Sequence, residues 1–297
     1  MTTSPRVSVI CPVFNAEPFL AEAIQSVLDQ DFSDFELFLV DDDSTDGSAA
    51  IARDFQSSDP ARIHLLQHPD HENLGAAASR NLALRHAKGE LVAFVDADDH
   101  WRPGKLTAQI ALLDKNPQVG MVCGAVNYWR SWSVGRDRVF MSGEPIGGIG
   151  FPPTTALRVF PLGRGIAPCP SDLLMRRSVV DEIGGFEPQF VGPGNYEDQA
   201  FLVKVYLAAP VYFATTVWLD YRIHGESGMA RGTRERRHDA MRRQFLDWFE
   251  AYLANRDFEG KGAVVAAVRR AKWEMDHPRA GTMLRRGRRL YRRFFPG

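Results

Sequence analysis

The sequence predicts an α/β fold built on a mostly parallel, doubly wound central sheet flanked by helices, and three observations carry that prediction. Short apolar runs of strand length alternate with segments of helical periodicity through the first third of the chain. Strands that alternate with helices are joined by right-handed crossovers, which leave neighbouring strands parallel. Two of the apolar runs stop in tight groups of carboxylates, DDDSTDGS at 41–48 and DADD at 96–99. Both groups then fall where a parallel sheet opens its ligand-binding edge, at the carboxyl ends of its strands.

The elements follow in order. VSVIC (7–11) reads as a strand, and EPFLAEAIQSVLDQ (17–30) repeats apolar residues at helical spacing. FELFLV (35–40) is a second strand, followed by a helix over 46–56; IHLL (63–66) is a third, followed by a helix over 74–87. LVAFV (91–95) is a fourth strand, with a helix over 105–115 after it, and VGMVCGAV (119–126) a fifth. The stretch 142–170 is rich in Gly and Pro and reads as long loops. Glu197 and Asp198 open the apolar helix AFLVKVYLAA. The uncharged run 205–219 is too short to span a bilayer comfortably and holds Pro210 near its middle, so it reads as core. From 234 onward the pattern is helical and strongly basic.

A chain of 297 residues suffices for one large domain or two ordinary ones. Hydrophobic residues at 44% and charged residues at 25%, without low-complexity tracts or repeats, place it among soluble globular proteins. Three cysteines, Cys11, Cys123 and Cys169, are an odd number at irregular spacing. They argue against a disulfide framework or a zinc cluster and fit a reducing cytosol, and the first residues lack the apolar core of a signal peptide. The net charge of −1 conceals an asymmetry: residues 1–229 hold 18 Lys and Arg against 29 Asp and Glu, whereas 230–297 hold 18 against 8. A boundary near 230 is expected, with 1–229 as the main domain and 230–297 as a basic helical extension.

The missing motifs narrow the chemistry. No GxGxxG follows the first strand and no GxxxxGK[ST] occurs, which weighs against dinucleotide oxidoreductases and P-loop enzymes. The first strand runs instead into CPVFNAE (11–17), and the sheet edge carries carboxylates where those folds carry phosphate-cradling amides. A diphosphate lies beside carboxylates only when a divalent cation bridges them. In an extended stretch Asp96 and Asp98 point the same way, roughly 6–7 Å apart, and their hard oxygens suit Mg²⁺ or Mn²⁺. A competing reading makes Asp98 or Asp99 the cap of a helix begun near Pro103. From these residues alone both readings stand.

Six segments, in order, resemble the family-2 glycosyltransferases of GT-A fold. They are the stretch from VSVICPVFNAE through VDDDSTDGS (7–48), NLGAAASRNLAL (73–84), FVDADDHWRPGKL (94–106), IGGFEP (183–188), NYEDQAFLVKVYL (195–207) and YRIHGES (221–227). The likeness covers roughly residues 5–228, and no QxxRW motif is present, which disfavours a processive synthase. The resemblance implies transfer of a sugar, with inversion, from a nucleotide diphosphate donor, a UDP-sugar by expectation, to a hydroxyl of a glycan or lipid-linked acceptor. It implies a donor-binding part over 5–118 and an acceptor-binding part over 119–229. Pro12, Phe14, Asn15 and Glu17 would border the donor's base; Asp42 would hydrogen-bond the pyrimidine; Arg80 would face the base or diphosphate. Asp96 would meet the ribose and the metal, Asp98 would be the main ligand of Mn²⁺ or Mg²⁺, and His224 a third ligand. Asp198 would be the general base and Glu197 would orient it or the acceptor. Acids at a helix N-terminus are also favoured by the dipole alone, by about 0.3–1 kcal/mol, so spacing by itself does not assign that role. Phe14 stands where Tyr is common and Ala83 where Gly is frequent, departures that bear on donor preference rather than on the metal. Trp101 and Arg102 are candidates for shaping the acceptor side, and acceptor specificity is expected in the loops between 140 and 195.

The segment MLRRGRRLYRRFF (283–295) places six arginines around an apolar stripe, the pattern of an interfacial helix drawn to anionic lipid. The expected setting is therefore the cytoplasm, peripheral to the inner face of a membrane, with no nucleic-acid partner. Two alternatives stand beside this reading: a sugar nucleotidyltransferase, which needs a Gly-rich basic loop that CPVFNAE does not offer, and a nucleotide-sugar-binding protein without turnover.

Overall fold

The first half of the sheet grows outward from its most apolar strand. β1 (Val7–Val13) pairs in parallel with β2 (Phe35–Asp41) on one side and β4 (Leu91–Phe94) on the other, and β3 (Ile63–Gln67) adds in parallel outside β2. All seven residues of β2 are buried, as expected for a strand covered by helices on both faces. The crossovers run through α1 (Leu20–Leu28), α2 (Ser48–Ser58) and α3 (Ala76–His86). In α1 the residues Leu20, Ala23, Ile24 and Val27 recur at helical spacing, and all four are buried in one stripe. Val13 lies opposite Asp41 and Ile10 opposite Phe94, so the two acidic clusters open on one edge of the sheet, as the alternation predicts.

The computed structural model describes residues 4–69, 72–130, 132–192, 196–227, 230 and 238–278. The basic segment 283–295 lies outside the described residues. Among the described residues no helix is long and apolar enough to cross a membrane.

The second half of the sheet is mixed, so the parallel arrangement expected of the central sheet is carried by its first four strands. The strand order is β3-β2-β1-β4-β9-β6-β10-β5. β9 (Leu174–Arg176) lies antiparallel between β4 and β6 (Met121–Trp129), while β10 (Val211–Arg222) runs parallel to β6. β5 (His100–Trp101) and β8 (Gly148–Gly150) pair antiparallel with β10, and β7 (Arg138–Met141) forms an antiparallel ribbon with β6. Parallel neighbours require a long crossover, whereas antiparallel ones accept a short turn or a strand inserted later in the chain. Beyond α4 (Lys105–Lys115) the chain uses turns and insertions, and the Gly/Pro-rich stretch supplies β8 and the one-turn helix α5 (Thr154–Arg158) as well as loops.

Helix α7 (Glu197–Ala208), which follows α6 (Arg177–Ile183), is buried at eight consecutive positions from Gln199 to Tyr206. Burial all round explains why it reads as continuously apolar rather than amphipathic. One side packs on the sheet through Phe201, Leu202 and Val205. The other meets the hairpin of α8 (His238–Ala254) and α9 (Lys261–Asp276), where Ala200 and Val203 share a cluster with Phe245, Phe249, Leu253, Val264 and Val268. Within the basic C-terminal region, the described residues 238–278 form these two helices, which cover the back of α7.

Candidate active site

The crowded carboxylates find their positive partner in α3. Arg80 is only 2% exposed, yet it spans two carboxylates far apart in sequence: Nη2 donates to Asp96 Oδ1 at 2.6 Å and Nη1 to Glu197 Oε1 at 3.3 Å. Its guanidinium also lies 5.1 Å from the centre of the Phe186 ring. The carboxyl end of β4 and the amino end of α7 are therefore joined through one buried cation. This revises the expected contact of Arg80 with a base or diphosphate: the side chain is an internal clamp. Its removal leaves two poorly solvated carboxylates facing each other. Arg80→Met is expected to cost about 3 kcal/mol of stability at neutral pH, readable as a lowered urea midpoint; an unchanged midpoint would refute the clamp.

Asp98 and His224 meet across the same edge, with Oδ2 and Nε2 2.8 Å apart and side-chain exposures of 28% and 12%. Two neighbouring ligands of an octahedral ion at about 2.1 Å from the metal are separated by about 3 Å, so this pair fits one divalent cation. A carboxylate oxygen with an imidazole nitrogen suits Mn²⁺ and is compatible with Mg²⁺. Among the described residues no three His, Cys, Asp or Glu side chains gather as a metal cluster. Of the expected trio, Asp98 and His224 lie together, while Asp96 is engaged by Arg80.

The helix-cap reading of this motif does not hold. α4 begins after Gly104, which makes no side-chain cap. Asp99 instead points inward, fully buried, where Oδ2 accepts from Ser171 Oγ at 2.6 Å and Oδ1 from the backbone N–H of Arg222 at 3.0 Å. Burial first, and then the charges of Asp98 and Asp96, push its carboxyl well above the usual range. Ser171 Oγ also accepts from the Asp96 N–H at 3.0 Å, and Arg222 Nε donates to the Asp98 carbonyl at 2.8 Å. Asp99, Ser171 and Arg222 thus fix the loop that presents Asp96 and Asp98. Sequence reasoning gives Ser171 and Arg222 no place and offers Asp99 only as a helix cap. The signal was adjacency alone, since Asp99 completes DADD and Arg222 precedes His224 by two residues.

At the tip of α7, burial and the neighbouring Asp198 charge push Glu197 up to about 7 against the opposing pull of Arg80. Asp198 is also raised, chiefly by burial. Among the described residues its oxygens accept only from Gln199, from the backbone N–H at 2.7 Å and Nε2 at 3.1 Å. A carboxylate of raised proton affinity with lone pairs to spare is suited to take a proton from a hydroxyl.

The rim formed by the ends of β1 and β2 is internally bonded. Phe14 is 39% exposed, whereas Pro12 is half-buried within β1. Asn15, at a φ of 48°, accepts from Thr45 N–H at 2.8 Å, and Glu17 accepts from Gly47 N–H at 2.9 Å. Asp42 departs furthest from its expected place. It is 3% exposed, and its two oxygens accept from the N–H groups of Leu74 and Gly75 at 2.8 and 2.9 Å. It pins the 73–75 turn and is buried rather than turned to the surface. Trp101 is buried in the core with Nε1 bonded to the Ser171 carbonyl, and Arg102 forms a two-bond ion pair with Asp220. Trp101 presents no free face to an acceptor, whereas the Arg102 side chain is 40% exposed but committed to Asp220.

A parallel β/α half ending in acidic loops, and a mixed half that returns a carboxylate pair and a histidine to the same edge, define an α/β protein of the GT-A type. Solved structures share this fold. Staphylococcus aureus TarS 1–349 superposes with a TM-score of 0.66 at 21% identity over 89% of this chain and 70% of that one. The mannosyltransferase PcManGT from Pyrobaculum calidifontis, in complex with GDP-Man and Mn²⁺, gives 0.58 at 22% identity over 98% and 81%. The chain belongs to glycosyl transferase family 2, whose model matches residues 8–184. Among its relatives is EpsE of Bacillus subtilis (strain 168), assigned as a glycosyltransferase, 33% identical over 63% of this chain and 62% of EpsE. The Escherichia coli UDP-Glc:alpha-D-GlcNAc-diphosphoundecaprenol beta-1,3-glucosyltransferase WfgD is 42% identical over 37% of this chain and 42% of WfgD. The aligned region thus spans less than two thirds of either relative.

Proposed function

We propose that the chain is a metal-dependent, inverting glycosyltransferase. It moves a sugar from a nucleotide diphosphate sugar, with UDP as the favoured nucleotide, to a hydroxyl acceptor in the synthesis of a cell-surface polysaccharide or glycolipid. The observation that carries the reading is the Arg80 junction, which holds Asp96 and Glu197 together beside the Asp98–His224 pair. It brings a cation-binding pair and a candidate base to one edge of the sheet. Support for the donor comes from TarS structures in complex with UDP and UDP-GlcNAc, and for the setting from the names of EpsE and WfgD.

Asp98 and His224 would hold Mn²⁺ or Mg²⁺, which when bound neutralises the departing diphosphate. Asp96 stays oriented by Arg80, free through its second oxygen to meet the donor's ribose. Phe14 offers an aromatic face to the base. Asp198 removes the acceptor's proton as its oxygen attacks the anomeric carbon from the side opposite the diphosphate. Glu197, tied to Arg80, keeps the first turn of α7 in place during that step. Asn15, Glu17 and Asp42 hold the loops around the nucleotide.

A thermal-shift series of nucleotide sugars with Mn²⁺ or with a chelator tests the proposal. One donor is expected to stabilise the protein by about 2.7 kcal/mol at a hundred times its dissociation constant, and only when metal is present. If no nucleotide diphosphate sugar shifts the transition, the proposal fails.

A further inference from the structure

Beside the candidate active site, the β6–β7 ribbon carries a charged groove that the sugar-transfer chemistry above does not use. Tyr128 and Arg130 alternate along the end of β6 and just beyond it; Arg136, Arg138 and Phe140 alternate into and along β7. Tyr128 lies opposite Arg138 and Val126 opposite Phe140 in the antiparallel register. Successive residues of a strand point to opposite faces, so these five side chains share one face and Trp129, Asp137 and Val139 take the other. The five line a groove of about 510 Å³. Its floor is aromatic, with the Tyr128 and Phe140 rings 4.6 Å apart.

This face concentrates positive charge. Arg138 of β7 and Arg130 and Arg136, just beyond the paired strands, line the same groove. Among the described residues none of the three guanidiniums forms an ion pair. Asp137, nearest in sequence, is occupied on the other face, where it accepts from Asn127 and from the Arg130 N–H. Guanidinium forks match the oxygens of a phosphoryl group in pairs, and aromatic rings accept the apolar faces of sugars.

The groove also borders the strand that leads to His224. The Tyr128 ring lies 5.3 Å from that of Tyr221, three residues before His224 on the same chain end. Burial pushes the Tyr128 hydroxyl up to about 12, and the charges of Cys169, Asp99 and Asp198 add to it. Tyr128 therefore links the arginine groove to the strand that runs on to His224.

We infer that this groove binds the acceptor through a phosphoryl group, with Arg130, Arg136 and Arg138 reading the phosphate oxygens and Tyr128 and Phe140 supporting the attached sugar. The inference rests on the transferase reading for the word acceptor. It moves acceptor recognition from the loops after residue 140, where the sequence led us to expect it, to the ribbon ahead of them.

Calorimetric titrations of the full chain, with UDP and Mn²⁺ present to fill the donor side, provide the test. The probes are N-acetylglucosamine 1-phosphate, inorganic pyrophosphate, glucuronate and unmodified N-acetylglucosamine. The two phosphorylated probes are expected to bind, and the R136A/R138A double variant to weaken both at least tenfold while its UDP affinity stays within twofold. Both arginines are exposed, so the variant keeps the packed core. Absence of phosphate binding to the parent protein, or equal binding to the variant, overturns the inference. So does glucuronate binding as tightly as the phosphates, which would make the groove a general anion site. Failure of UDP to bind the parent protein counts against the donor reading alone, because the comparison of the two proteins with phosphorylated probes remains valid without it.

Discussion

Replacing Asp198 with Asn is expected to lower the transfer rate roughly a thousandfold, within the range a general base contributes, while donor affinity changes less than twofold. The substitution keeps size and shape and one hydrogen bond from Gln199, but removes the proton acceptor. The measurement is single-turnover transfer alongside a donor titration. Joint loss of binding and transfer would make Asp198 a structural residue instead. The same pair predicts a pH profile. Glu197 holds its proton up to about 7 in the folded chain, against an ordinary value of 4.5. Transfer is expected to rise with pH through about 7 as the Glu197–Asp198 pair gives up its shared proton, and the two titrate together rather than separately. For stability the sign is opposite: the group's contribution is full below about 4.5 and is lost as pH climbs through about 7, because the folded state binds that proton more tightly. Glu197→Gln should flatten that slope.

Replacing Asp98 with Asn should be as severe by a different route. His224 keeps its place beside Phe19, whose ring centroid lies 4.7 Å away, but the charged oxygen 2.8 Å from Nε2 is gone. Mn²⁺-dependent donor binding should fall at least a hundredfold, since a neutral amide oxygen is a weak ligand for a hard cation. Stability without ligand should hardly change, because Asp98 is partly exposed and Asp99 keeps the loop fixed. Near-normal turnover in Asp98→Asn would remove the metal from the mechanism. Native-like Mn²⁺ stabilisation in the variant would do the same.

The parts of the fold that local pattern dictates were legible. The strands at 7–13, 35–41, 63–67 and 91–94 lie within two residues of the apolar runs that predicted them, and α4 spans the predicted 105–115. These segments are long, periodic and joined in sequence order, so each carries its own signal. The mixed half did not announce itself. β9 is three residues long and slips between β4 and β6, a pairing that depends on partners more than fifty residues away. Site legibility followed the same division. Asp96, Asp98, Glu197, Asp198 and His224 stood out through motif and charge, whereas their interconnections did not. Arg80 was noticed as a ligand contact and proved to be a clamp; Asp42 was noticed as a base contact and proved to pin a turn. Exposure separates such roles, and a linear string does not encode it. The arginine face of the β6–β7 ribbon was readable in principle from the alternation R136-D137-R138-V139-F140, but only once Tyr128 and Arg130 were known to lie across from it.

Because the α8–α9 hairpin rests on the side of α7 that faces away from the sheet, the candidate base is seated between two halves of the chain rather than on the rim of one. Shortening the chain at the change in charge near 230 would uncover Ala200 and Val203 and slacken the helix that aims Asp198. A trimmed version of this protein that still folds should therefore be judged by its turnover, and hybrids with relatives should exchange the helix and its cover together.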